Sequence, residues 1–123
     1  MNTIQRSKEP LIKITDVTLT FSRWGHKVTA LAAHPNVSIK ISGACTLSHE
    51  PYPYKDIWDP LGRIFDAFGF ERCMWGTDWT RAVGLLTYQQ GVDAFRVTDR
   101  LSNGDRAALM GGTLARVYNW SPS

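Results

Sequence analysis

Six side chains in this 123-residue chain are of kinds that do chemistry on small molecules: Lys40, Ser42, His49, Asp78, Trp79 and Arg81. Asp78 comes first. It follows the short apolar run Cys73–Gly76 and Thr77, so it stands just past the C-terminal end of an expected strand. A carboxylate at such a strand end has no packing duty and is open to a ligand, although an exposed strand-end Asp or a helix cap would use the same residue. Lys40 and Ser42 share one parity of Val37–Ser42, opposite Val37, Ile39 and Ile41. An ammonium donates up to three hydrogen bonds, which suits an anionic substrate group; the bland alternative is a pair with an acidic neighbour. His49 lies in a loop beside Pro51 and Tyr52, where it could reach a substrate. Arg81 offers a planar fork for a carboxylate. Trp79 either walls a pocket or packs against a helix layer. His26 and His34 lie on an expected outer helix and are poor metal-ligand candidates.

The elements that must position these residues alternate between strand and helix. Leu11–Phe21 is rich in β-branched residues and reads as a strand with apolar side chains on both parities. Arg23–His34 has Trp24, Val28 and Leu31 on one helical face, and Pro35 stops it. Val37–Ser42 is the clearest strand. Ala44–Lys55 is a loop broken by Pro51 and Pro53. Asp56–Phe68 carries one apolar stripe, Ile57, Leu61, Ile64, Phe65 and Phe68, and ends at Gly69. Cys73–Gly76 is a second strand, expected beside the first and parallel to it. Thr87 and Gln90 form a capping box for a helix that should bury Tyr88, Val92 and Phe95. Ser102 caps another helix, and Gly111-Gly112 separates it from a last amphipathic stretch, Leu114–Tyr118. This order predicts an α/β fold with a parallel sheet and helices outside it.

Composition narrows the classes of partner. A formal charge of +3, scattered along the chain, lacks the clustered basic footprint that nucleic-acid binding needs. No apolar run is long enough to span a membrane, and residues 1–10 read as a flexible tail without the apolar centre of a secretory signal. Cys45 and Cys73 fit no CxxC spacing and are expected to be buried thiols of a cytoplasmic protein.

Three segments in order carry a resemblance. They are Pro35–Gly43 (PNVSIKISG), Phe68–Trp79 (FGFERCMWGTDW) and Met110–Tyr118 (MGGTLARVY). Together they resemble the last two strands and the terminal helix of the amidohydrolase-related family of metal-dependent hydrolases, a group that includes lactonases and decarboxylases. The resemblance implies a partial TIM barrel over residues 11–120, made of the C-terminal strands and helices of a (β/α)₈ amidohydrolase barrel. It implies hydrolysis of a lactone, amide or carboxylated small molecule by an activated water. Asp78 would hold the metal or take the proton, with Lys40, Ser42, His49, Trp79 and Arg81 around the substrate.

The resemblance also marks what is missing. The complete family fold binds a divalent metal, zinc or manganese, through a His-x-His pair on its first strand and further histidines. No His-x-His occurs here, a full barrel needs roughly 200 to 250 residues, and a hydrolytic zinc wants about three protein ligands. The chain alone is therefore expected to bind no catalytic metal. The alternative to an enzyme is an inactive remnant, or a subunit fragment that needs an N-terminal half or pairs with a second copy.

Overall fold

In the computed structural model, residues 12–14 and 27–123 are described. The expected tail over residues 1–10, most of the Leu11–Phe21 strand, Trp24 and His26 lie outside the described residues. Three strands form one parallel sheet in the order β1 (Ile12–Ile14), β2 (Val37–Ser42), β3 (Cys73–Gly76). Ile12 is opposite Val37, Ile39 opposite Cys73, Ile41 opposite Trp75 and Ser42 opposite Gly76. The expected parallel β2–β3 neighbours are present.

The register decides which side chains share a face, because partners opposite each other point the same way. Ile39, Ile41 and Cys73 join the main core with Phe65, Phe68 and Phe95, and Trp75 packs against that core. Trp75 meets Phe95 edge-on at a ring separation of 6.4 Å, and Trp58 meets the same ring tilted at 5.3 Å. The opposite face carries Ser38, Lys40, Ser42 and Met74 by the same alternation. Ser38, Ser42 and Met74 are buried, so β2 is covered on both faces rather than wetted on its polar side. Buried parallel strands with both faces covered are what an α/β architecture requires.

Helix α1 (Trp58–Phe68) crosses between β2 and β3 in sequence. Leu61, Ile64, Phe65 and Phe68 are buried along its stripe, each side chain stabilising the fold by roughly 1.5–3 kcal/mol. Gly69 ends it at φ +72, with its N–H donating to the Phe65 carbonyl at 2.8 Å. The helix begins two residues later than expected at Asp56, because Lys55–Ile57 forms a tighter 3₁₀ turn. The expected loop Ala44–Lys55 also contains a 3₁₀ turn, Ala44–Leu47, and a cis Tyr52–Pro53 bond.

After β3 come a short helix α2 (Trp79–Ala82) and α3 (Tyr88–Arg96). Thr87 and Gln90 make the expected capping box. The expected buried face of α3 is corrected in two places. Val92 is only half-buried. Gly91, Ala94 and Phe95 are buried, but Tyr88 is exposed and sets its ring edge-on to Trp79 at 5.7 Å. Tyr88 is the first residue of the helix, so its side chain lies beyond the core that Phe95 enters about two turns later. Ser102 caps α4 (Asn103–Ala107), and a kinked π-type turn over Ala108–Gly112 leads into α5 (Thr113–Tyr118).

Arg72 ties the N-terminal ends of the strands together. Its guanidinium donates to the carbonyls of Ala32 (3.0 Å), His34 (2.9 Å) and Val37 (3.3 Å), and its Nε donates to Phe68 (3.0 Å). It also lies over the Phe68 ring, 5.2 Å from the centroid. One side chain thus joins the entry of β2, the end of α1 and the start of β3.

Candidate active site

The site lies at the C-terminal ends of β2 and β3, where side chains of a parallel α/β fold are free to meet a ligand. The strand ladder runs one residue past the sheet: the Gly43 N–H donates to the Gly76 carbonyl at 3.0 Å. Gly43 is in the left-handed region at φ +66. Asp78 is also left-handed, at φ +49, and its carbonyl accepts the N–H groups of Arg81 and Ala82, both at 2.9 Å. A non-glycine residue at positive φ is uncommon and points to a constraint at that position. Here the turn carries the Asp78 side chain back over Gly43. A methyl group built on Gly43 would lie 2.8 Å from Asp78 Cβ and 3.3 Å from Oδ2.

Lys40 and Ser42 lie against Gly76, the residue hydrogen-bonded to Gly43. A methyl group built on Gly76 would lie 2.6 Å from Lys40 Cε, 3.5 Å from Lys40 Nζ and 3.4 Å from Ser42 Oγ. Lys40 is partly exposed and Ser42 is buried. Neither Lys40 nor Asp78 forms a side-chain hydrogen bond or ion pair with another described residue. Pairing of Lys40 with an acidic neighbour, the bland alternative, is therefore not made among the described residues.

The remaining candidates flank this centre. Trp79 is 42% exposed and meets Tyr88 edge-on. A small crevice runs from Gly43, Cys45 and Thr46 to Trp75, Thr77 and this aromatic pair. Arg81 is exposed on α2. His49 is exposed, and its main-chain N–H donates to Asp56 Oδ2 at 2.7 Å. The Ser48 hydroxyl also donates to Asp56, and this bond first, then the His49 N–H, holds the Asp56 carboxyl below its ordinary range. Asp56 thus fixes the loop that carries His49. In the sequence Asp56 is an ordinary helix-start acid, and nothing local to it marks this role.

Both cysteines are buried free thiols, and burial pushes each up to about 12. A thiol held there is neutral at physiological pH and is no nucleophile. A cleft of about 630 Å³ is lined by Tyr52, Lys55, Trp58, Val97 and Arg100 among others, and by none of the six candidates. Size alone does not make it the active site, because it lacks the strand-end carboxylate.

A metal does not fit the described residues by themselves. A hydrolytic zinc wants about three protein ligands, and among the described residues no three His, Cys, Asp or Glu side chains are grouped to hold one. Asp78 would be a single ligand. No described helix is long and apolar enough to cross a membrane.

Comparison with known proteins places this geometry. The chain is 34% identical over 104 residues to an L-fucono-1,5-lactonase of Burkholderia multivorans, covering 79% of this chain and 35% of that protein. It is 34% identical over 108 residues to an L-fucono-1,5-lactonase of Burkholderia ambifaria, covering 77% of this chain and 34% of that one. The fold superposes on a crystal structure of a Burkholderia multivorans amidohydrolase with bound zinc at a TM-score of 0.70 and 31% identity, covering 87% of this chain and 40% of that one. The chain thus spans about a third of the length of the curated relatives it matches, and its sheet and helices are part of the (β/α)₈ barrel. The amidohydrolase family profile matches residues 9–120. This chain belongs to the amidohydrolase family.

Proposed function

We propose that this chain supplies the C-terminal strand ends of a hydrolase that opens the ring of a small lactone. One observation carries the reading: at the ends of neighbouring strands Asp78 lies against Gly43 and Lys40 against Gly76, two glycines joined by a hydrogen bond, and neither side chain has a polar partner among the described residues. The names of the two Burkholderia relatives support a sugar lactone as the substrate class.

Ring opening needs a water to lose a proton as its oxygen bonds to the carbonyl carbon. The Asp78 carboxylate accepts that proton and returns it to the ring oxygen as the C–O bond breaks. The Lys40 ammonium donates to the oxygen that gains negative charge, and then to the carboxylate of the opened product. The Ser42 hydroxyl orients the same group from the buried side. Trp79 walls the apolar edge of the ring, and His49 and Arg81 serve outer oxygens of the substrate. Zinc or manganese, in a complete family site, would draw ligands from beyond the described residues. The span of about a third of the relatives' length favours a site completed by further barrel strands, supplied by an N-terminal partner segment.

The test is lactone opening, followed by acid release, with the chain fused behind the part of the Burkholderia multivorans lactonase that it does not match. Turnover is expected, and Asp78→Asn should lower kcat by about 100-fold or more. A folded fusion whose turnover is unchanged by Asp78→Asn would refute the reading.

A further inference from the structure

We infer that Gly43 and Gly76 are the positioning residues of this site, each vacating the space in which the functional side chain of the other strand lies. The inference rests on the reading of Lys40 and Asp78 as the active pair. Lys40, from β2, lies over Gly76 of β3; Asp78, from the end of β3, lies over Gly43 at the end of β2. The two seats are joined by the Gly43 N–H to Gly76 carbonyl bond at 3.0 Å. Lys40 reaches forward along the sheet from its place opposite Met74, and Asp78 folds back by its left-handed turn. Each side chain therefore lies against a glycine of the neighbouring strand, and the two glycines share one hydrogen bond.

The two glycines are required for different reasons. Gly43 sits at φ +66, where a side chain is strained whatever the space, and a methyl there would also meet Asp78 Cβ at 2.8 Å. Gly76 has ordinary strand geometry and would accept any residue on backbone grounds. Only space excludes a side chain from it: the 2.6 Å approach to Lys40 Cε is far inside the 3.5–4.0 Å optimum for carbon contacts. Lys40 is flexible, so Gly76→Ala should fold and move Lys40 off its seat. This makes it the cleaner probe.

The experiment uses the full chain labelled with ¹³Cε-lysine and ¹³Cγ-aspartate, with Lys40→Ala and Asp78→Ala assigning the two signals. Gly76→Ala should shift the Lys40 Cε resonance and leave Asp78 Cγ in place; Gly43→Ala should shift Asp78 Cγ and leave Lys40. A melting cycle accompanies the spectra. Gly76→Ala should lower Tm by about 4 °C in the wild-type background and by less than half as much once Lys40→Ala has emptied the seat. Equal Tm losses in both backgrounds, or a Lys40 signal unmoved by Gly76→Ala, would overturn the inference. If Gly43→Ala does not fold, the Gly76 arm decides alone. The two readings separate cleanly. Spectral crossover in a protein that opens no lactone keeps the seats and removes the lactone chemistry. Asp78-dependent turnover without crossover keeps the chemistry and removes the seats.

Discussion

The two ends of the β2–β3 pair each carry a cation, and the two cations do different work. At the N-terminal end, Arg72 donates to the carbonyls of Ala32, His34, Val37 and Phe68. Its donors are taken up by the chain itself, so it is architecture. At the C-terminal end, Lys40 and Asp78 lie against glycines, and their side chains make no hydrogen bond or ion pair with another described residue. Their polar capacity is left for a ligand. The lesson is that charge type does not separate the two ends; the state of their side-chain hydrogen bonds does.

The comparison can be broken by substitution. Arg72→Ala should have the largest effect on stability, about 3 kcal/mol, since it strips a charged donor from four carbonyls. Chemical denaturation of the chain checks this, and a loss under 1 kcal/mol would make Arg72 an ornament. Lys40→Ala should leave stability nearly unchanged and lower kcat for the lactone at least about tenfold in the fused enzyme, the loss of one charge-assisted hydrogen bond to the oxygen that gains charge. An unchanged kcat would return Lys40 to a packing role.

Smaller effects sharpen the contrast between scaffold and site. Thr87→Ala removes half of the α3 capping box and should cost about 1 kcal/mol without touching KM. The Asp56 carboxyl should give a pH signature. Its folded pKa is lowered, so its stabilisation is fully present above the unfolded value near 4 and is lost as pH falls through the lower folded value. The group is solvent-screened, which keeps the effect under about 1 kcal/mol. Tm measured from pH 6 down to pH 2 should fall more in the wild type than in Ser48→Ala, whose Asp56 has lost its main partner.

Much of the scaffold could be read from local pattern. The α1 stripe of Leu61, Ile64, Phe65 and Phe68, the alternation of Val37, Ile39 and Ile41, and the Thr87–Gln90 box are all encoded within a few residues and appear as expected. Asp78 was legible because it closes a strand. What was not legible depends on strands meeting. The burial of Ser38 and Ser42 needs both sheet faces covered, which alternation in one strand does not reveal. The glycine seats need the Ser42–Gly76 register, since only that pairing sets Lys40 over Gly76. Tyr88 was misplaced because helical periodicity does not say how far the core extends past the first turn of α3.

The division between the two strand ends is tested most directly by kcat for lactone opening, measured in the fused enzyme for Asp78→Asn and Arg72→Ala with Tm recorded on the same samples. The account predicts that Asp78→Asn loses about 100-fold in kcat while Tm stays within about 2 °C of the wild type. Arg72→Ala should lose several degrees in Tm yet keep kcat within about threefold at temperatures where it remains folded. A near wild-type kcat for Asp78→Asn, or a collapse of kcat in folded Arg72→Ala, would contradict it.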